Sequence, residues 1–270
     1  MLWSKVIGAG GAGGVVEGWN ISTAVYLQNF SVAAQSAQPF GVFFKPDGTK
    51  MYILGAGLVY EYDLGTPWDV TTSVFLQSKN VSTQSFTSTS GISFTPDGTK
   101  VYFLTASGTR VTEYDLSTAW DISTAVYLQN FSVAAQETQP FGVFFKPDGT
   151  KMYITGSSSN VNEYDLGTAW DVTTSVFLQS KNVSTEDLTP YDVSFKPDGT
   201  KMFVLGFQGD DVNEYDLSTA WDISTAVYLQ NFSVAAQENN PRGIFFKPDG
   251  TKMYVTGLSA IAIQEYDLTA

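Results

Sequence analysis

The sequence predicts an all-β protein: a five-bladed β-propeller of four-stranded antiparallel blades, closed by the N-terminal strand completing the last blade. Three observations predict it. A unit of about 50 residues recurs along the chain, and each complete unit holds four short apolar runs separated by turn residues. The fourth run of the set also stands alone before the first complete unit, while the final unit lacks its own.

The repeat is nearly verbatim. Ile21 to Gln35 reads ISTAVYLQNFSVAAQ and recurs at Ile122 to Gln136 and Ile223 to Gln237, while a sister version, Asp69 to Thr83 (DVTTSVFLQSKNVST), recurs unchanged at Asp171 to Thr185. The four runs, named a to d, are represented by Gly41 to Phe44, Met51 to Leu54, Val59 to Leu64 and Ser73 to Gln77. Runs a and b are apolar throughout, as expected of strands covered on both faces by neighbouring sheets. Between them lies Pro46-Asp47-Gly48, recurring at Pro96, Pro147, Pro197 and Pro248. Proline presets the first turn angle and glycine takes the positive φ of a tight hairpin. Runs c and d are joined by a Leu-[Ser/Gly]-Thr-[Ala/Pro]-Trp-Asp connection ending at Trp68, Trp120, Trp170 and Trp221. Its Asp is placed to accept from turn amides and its Trp to pack between blades.

Units a to c occur five times, the last ending at Leu268, and the missing d run is the segment Trp19 to Gln35 at the other end. Pairing the two removes open sheet edges, which a linear solenoid would not require. Three copies of one flavour and two of the other cannot alternate around an odd-numbered ring, so perfect five-fold symmetry is excluded.

Composition agrees with this fold. Aromatic residues make up 14%, glycines number 24 and charged residues are 15%, a balance that suits an all-β chain with many turns and not a disordered one. The formal charge of −13 sets the molecule against nucleic acid and anionic lipid surfaces. With no cysteine and no histidine, disulfides, thiolate nucleophiles, the commonest general base and the usual zinc ligands are unavailable. No cofactor or metal is expected. No apolar run approaches the roughly 18 residues of a membrane span, and residues 1–18 lack a signal-peptide core, so the expectation is cytoplasmic production without membrane insertion. Gly8, Gly10 and Gly13 spell a GxGxxG, but the chain runs on into strand d with no helix, so no dinucleotide site is expected. Residues 1–18 are read as a Gly-rich arm available for attachment to a larger assembly, and 19–270 as the propeller.

At the level of motifs, PFGVFFKPDGTKMYILG (Pro39 to Gly55) followed by VYEYDL (Val59 to Leu64) resembles the YVTN and NHL types of propeller repeat. The five-fold count and the spacing of FF-x-P-x-G-x-x-x-Y also resemble the five-bladed tachylectins, lectins with a sugar site in each blade. The whole unit is similar to tandem repeats encoded by marine bacteriophages, which implies a virion or otherwise extracellular setting. The resemblance covers residues 19–270 and implies fold more than function. The tachylectins' own motif residues are not matched, so no sugar-site residue is carried over.

Function is sought in what differs between copies, because a residue that varies among blades is not required by the fold. The differences gather in the d-to-a connections (Ser36 to Phe40, Gln84 to Ser90, Glu137 to Phe141, Glu186 to Tyr191, Glu238 to Arg242) and in the b-to-c connections. Alternating strand direction places both sets on one rim and the Pro-Asp-Gly and Trp-Asp turns on the other, so one face is varied and one constant. On the varied rim the candidate ligand residues are Phe86, Arg110, Tyr191, Phe207, Asp210, Asp211, Asn239, Asn240 and Arg242, aromatics to stack on sugar rings and polar groups to bond them. Phe40 and Phe141 are read as plugs of the channel mouth. The expectation is a non-enzymatic module that binds a surface glycan or protein. The alternatives are a structural virion component and a glycosidase drawing on Glu137, Glu186, Asp187, Asp210, Asp211 and Glu238. Copied blades offer little of the asymmetry that an active site needs, which weighs against catalysis. The paired Glu61 and Asp63 of strand c are expected to be neutralised by Lys45 and Lys50 and not to bind metal.

Overall fold

The computed structural model describes residues 18–82 and 89–269, and its sheets are five, each of four antiparallel strands. In the first blade β2 (Gly41–Phe44), β3 (Lys50–Leu54), β4 (Leu58–Leu64) and β5 (Ser73–Asn80) run from the channel outward. The second holds β6 (Thr89–Phe94), β7 (Lys100–Thr105), β8 (Arg110–Leu116) and β9 (Ala125–Ser132). The third holds β10 (Pro140–Phe145), β11 (Lys151–Gly156), β12 (Asn160–Leu166) and β13 (Ser175–Asn182). The fourth holds β14 (Pro190–Phe195), β15 (Lys201–Gly206), β16 (Asp211–Leu217) and β17 (Ala226–Ser233). The fifth is β18 (Pro241–Phe246), β19 (Lys252–Gly257) and β20 (Ala262–Asp267), completed by β1 (Val25–Ser31). Strand β1 pairs antiparallel with β20, from Val25 opposite Asp267 to Ser31 opposite Ala262, so the ring closes as the strand count predicts.

The outer strand runs further than the sequence suggests. Gln77 opposes Glu61 and Phe75 opposes Tyr62, which leaves Leu76 as an extra residue, and pairing resumes as far as Asn80 opposite Leu58. Val74, Phe75 and Leu76 are exposed at the bulge, 66%, 40% and 49%, and the extra residue interrupts the regular edge on which another sheet could pair.

Blade-to-blade packing rests on the Trp turns. Trp68 has φ 67° and lies against Gly48, whose own φ is 75°, and a Cβ on that glycine would fall 2.3 Å from the Trp68 Nε1. The hairpin therefore needs glycine for its angle and for room. Trp68 stacks on Phe44 of its own blade and on Phe245 and Tyr254 of the fifth, which joins the last blade to the first. The Asp after each of these Trp residues caps a short 3-10 turn; Asp69 accepts from the Thr71 amide at 3.0 Å.

The apolar core is five clusters, each straddling a blade boundary; Tyr52 and Leu54 of one blade, for example, meet Ile92, Phe94 and Trp120 of the next. Beneath the constant rim, Lys50 reaches Glu61 at 2.6 Å and Asp63 at 2.7 Å, and the buried Glu61 also accepts from Gln77 and from the Ile122 amide of the following blade. These carboxylates are structural ties. Lys45 does not join them as expected; it pairs with Asp47 of its own hairpin at 2.7 Å, because that carboxylate is the nearer one.

Candidate functional site at the variable rim

The connections that vary between blades meet on one rim, and buried acceptors shape them. Glu137 is buried and receives the Gln139 amide at 2.9 Å and the Ser158 amide at 3.0 Å, holding its own loop against the b-to-c loop of its blade. Asp187 does the same with the amides of Thr189, Gln208 and Gly209, and Glu238 with those of Asn240, Ser259 and Ala260. Ser36 stands at this position in the first blade. The carboxylates lie so close to Gly156, Gly206 and Gly257 that a Cβ there would come within 2.3, 2.4 and 2.4 Å of them. Three residues that the sequence offers as glycosidase acids are thus loop clamps facing inward, each occupied by amide donors.

Above the clamps, side chains from three blades converge on the channel mouth. Phe141 stacks on Tyr191 with ring centroids 4.4 Å apart, and the Arg242 guanidinium carbon lies 4.0 Å over the same tyrosine ring. These residues share one position in consecutive inner strands, so Tyr191 is held between its two neighbours. Phe207, from the b-to-c loop of the fourth blade, meets Tyr191 edge-on at 5.2 Å and lies 5.0 Å from the guanidinium. Arg242 is half-buried, its Nε has no hydrogen-bond partner, and it makes no ion pair among the described residues. Burial holds it down at about 10, so it still carries its charge at neutral pH.

The other predicted residues fall around this cluster or away from it. Asp210 adopts φ 45° in the same loop as Phe207, and burial, with Glu238 and Asp187 nearby, raises its carboxyl above the usual range. Asn240 lies beside the mouth, its amide bonded to Glu238 and its buried side-chain oxygen unbonded, while Asn239 is exposed and bonded through its amide to Ser259. Asp211 points into the sheet, where Asn213 and Asn231 donate to it at 2.8 and 2.6 Å. Arg110 belongs to the second blade, with its Nε donating to the Gly108 carbonyl. Phe86 and the arm residues Gly8, Gly10 and Gly13 lie outside the described residues. Phe141 is part of the stack, and Phe40 holds the equivalent chain position in the first blade, its amide donating to the Leu54 carbonyl at 2.7 Å.

One residue escapes the sequence reading. Asp192 occupies the inner-strand position filled by Gly41, Gly91, Gly142 and Gly243 in the other blades. A Cβ on Gly142 would come within 2.6 Å of the Asp192 Cα and Oδ1, and one on Gly243 within 3.0 Å of the Gly41 Cα, so the strands converge here into a neck with room for one side chain. The carboxyl spans the neck, accepting from the Val193 amide at 2.9 Å and the Ile244 amide at 3.0 Å. Burial pushes it up to about 7. Aligning the five copies exposes the substitution; its meaning needs the distances.

No protein-family model and no curated protein matches the chain. Solved structures do. The β-propeller domain of Cps50 (Swd1) from Myceliophteria thermophila superposes with a TM-score of 0.51 at 12% identity, covering 90% of this chain and 99% of that one. A hydrazine synthase from Kuenenia stuttgartiensis gives a TM-score of 0.51 at 20% identity, and the match covers 86% of this chain but only 59% of that one. A protein from Lactobacillus plantarum gives 0.50 at 14% identity over 85% of this chain and 67% of its own. The likeness is one of fold. Propellers host binding, structural and catalytic roles alike, so the likeness carries no role with it.

Proposed function

We propose that this chain is a non-enzymatic binding module, displayed on a surface such as a phage virion, that recognises an acidic group on a surface glycan through the mouth of its variable rim. The observation that carries the reading is the half-buried guanidinium of Arg242, without an ion pair among the described residues, its Nε unbonded, stacked on Tyr191 and near Phe207. A charge withdrawn from water without a partner is costly, and the aromatic faces offset only part of that cost. They hold the fork in one orientation with an edge free, and a planar fork suits the two oxygens of a carboxylate. Tyr191 is covered by Phe141 on one side and Arg242 on the other, so it orients the guanidinium and leaves no open face for a sugar ring. The formal charge of −13 repels a polyanion at long range, which favours a glycan with isolated acidic groups over a densely charged polymer.

The virion setting rests on the similarity of the repeats to phage-encoded ones. Absence of catalysis is supported by the clamp roles of Glu137, Asp187 and Glu238, whose oxygens are engaged by amides. A glycan array probed with the wild type and with Arg242→Gln tests the function. Binding confined to acidic glycans and abolished in the variant is expected. Equal binding of neutral glycans, or release of sugar from a polysaccharide, would overturn the proposal.

A further inference from the structure

Below the neck the channel holds a cavity whose lining shares no residue with the stack at the mouth. It is about 280 Å³ in volume, framed at its entrance by the prolines of the Pro-Asp-Gly hairpins and therefore reached from the constant rim. Its wall is apolar, with Phe43, Phe144 and Phe245 only partly buried along it, and Ser93 and Ser194 at the same level in the other two blades. At its inner end stands Asp192. The volume is near the lower end of the roughly 300–1,000 Å³ typical of small-molecule sites, so the space suits one small ligand.

Charge decides which kind. Asp192 accepts two backbone hydrogen bonds, and a carboxylate has about four acceptor positions, so capacity remains. No lysine or arginine among the described residues forms an ion pair with it, whereas the buried Glu61, Glu113, Glu163, Glu214 and Glu265 each have a lysine. Among the described residues no group of three or more carboxylates gathers to hold a metal ion, and a hydrated cation gains little from phenylalanine walls. The cation that fits carries its charge at one end of an apolar body. The carboxylate then meets the charge while the rings take the body and, through their faces, part of the charge as well.

We propose that the channel binds a small hydrophobic amine from the constant rim, its ammonium on Asp192 and its apolar body against Phe43, Phe144 and Phe245. The site is independent of the mouth and does not rest on glycan recognition. The fold itself supplies the control, since glycine stands at this position in the other four blades and Asp192→Gly restores the common repeat. Asp192→Asn keeps the neck filled while removing the charge.

The probes are 2-phenylethylamine and its neutral counterpart 2-phenylethanol, titrated at pH 8 with calorimetry or NMR. The wild type is expected to bind the amine at least tenfold more tightly than the alcohol, with that preference lost in both variants. Equal affinity for the two probes, a preference that survives in either variant, or no amine binding at millimolar concentration would each overturn the proposal.

Discussion

Phe203 stacks on Trp19 with ring centroids 5.9 Å apart, at the one blade boundary where a phenylalanine replaces the tyrosine found in the other four blades. The tyrosines Tyr52, Tyr102, Tyr153 and Tyr254 each donate to the carbonyl of a Trp in the next blade, at 2.6, 2.7, 2.7 and 2.8 Å. The boundary without this bond is the one between the fourth blade and the blade that the N-terminal strand completes. There too, Asn20 stands where the other Trp turns have Asp. Phe203→Tyr is therefore expected to stabilise the ring by about 1 kcal/mol, and Tyr153→Phe to destabilise it by a similar amount. Urea unfolding of the two variants checks this; a Phe203→Tyr protein no more stable than the wild type would contradict it.

Glu238 holds the fifth-blade loops together through three main-chain amides and the Ser259 hydroxyl. Replacing it with alanine takes the acceptor from those part-buried amides, and a loss of about 1 to 3 kcal/mol is expected. Hydrogen exchange should accelerate at 258–261 while the Pro-Asp-Gly hairpin of the same blade is unchanged. Uniform acceleration through the blade would show that the clamp acts on the whole sheet and not on the loop.

Asp192 gives stability a dependence on pH whose sign follows from its position. Its carboxyl titrates at about 7 in the folded ring against an ordinary 3.8, because burial disfavours the charge. Between these values the folded chain holds a proton that the unfolded chain has released. The contribution is full below about pH 4 and is lost as the pH rises through about 7, with an upper bound of about 4 kcal/mol that solvent reaching the carboxyl from the channel reduces. Chemical unfolding from pH 4 to 8 should show the wild type losing stability relative to Asp192→Asn across this window. A constant difference between the two would contradict the assignment.

The fold was legible because its information is local and repeated. Pro46-Asp47-Gly48 states its turn chemistry in three residues, and counting runs a to d fixes the closure of β1 on β20 before any distance is known. The site was less legible for physical reasons. Glu137, Asp187 and Glu238 look like exposed loop acids in sequence, yet the amides of the facing b-to-c loop draw them inward. Phe141, Tyr191 and Arg242 come from different blades, and only the convergence of the inner strands stacks them. Asp192 went unnoticed although it is the single departure from glycine at its position, and neither the narrowness of the neck nor the cavity below it can be read from the repeat.

Calorimetric titration with glucuronic acid, using glucose as the neutral reference, asks whether a ring of five similar blades carries one site for an acidic sugar at its variable mouth. Glucuronic acid should bind with one equivalent per chain, glucose should not bind detectably at the same concentration, and Arg242→Gln should abolish the binding. Five equivalents per chain, equal binding of glucose, or binding that persists without the guanidinium would contradict the claim.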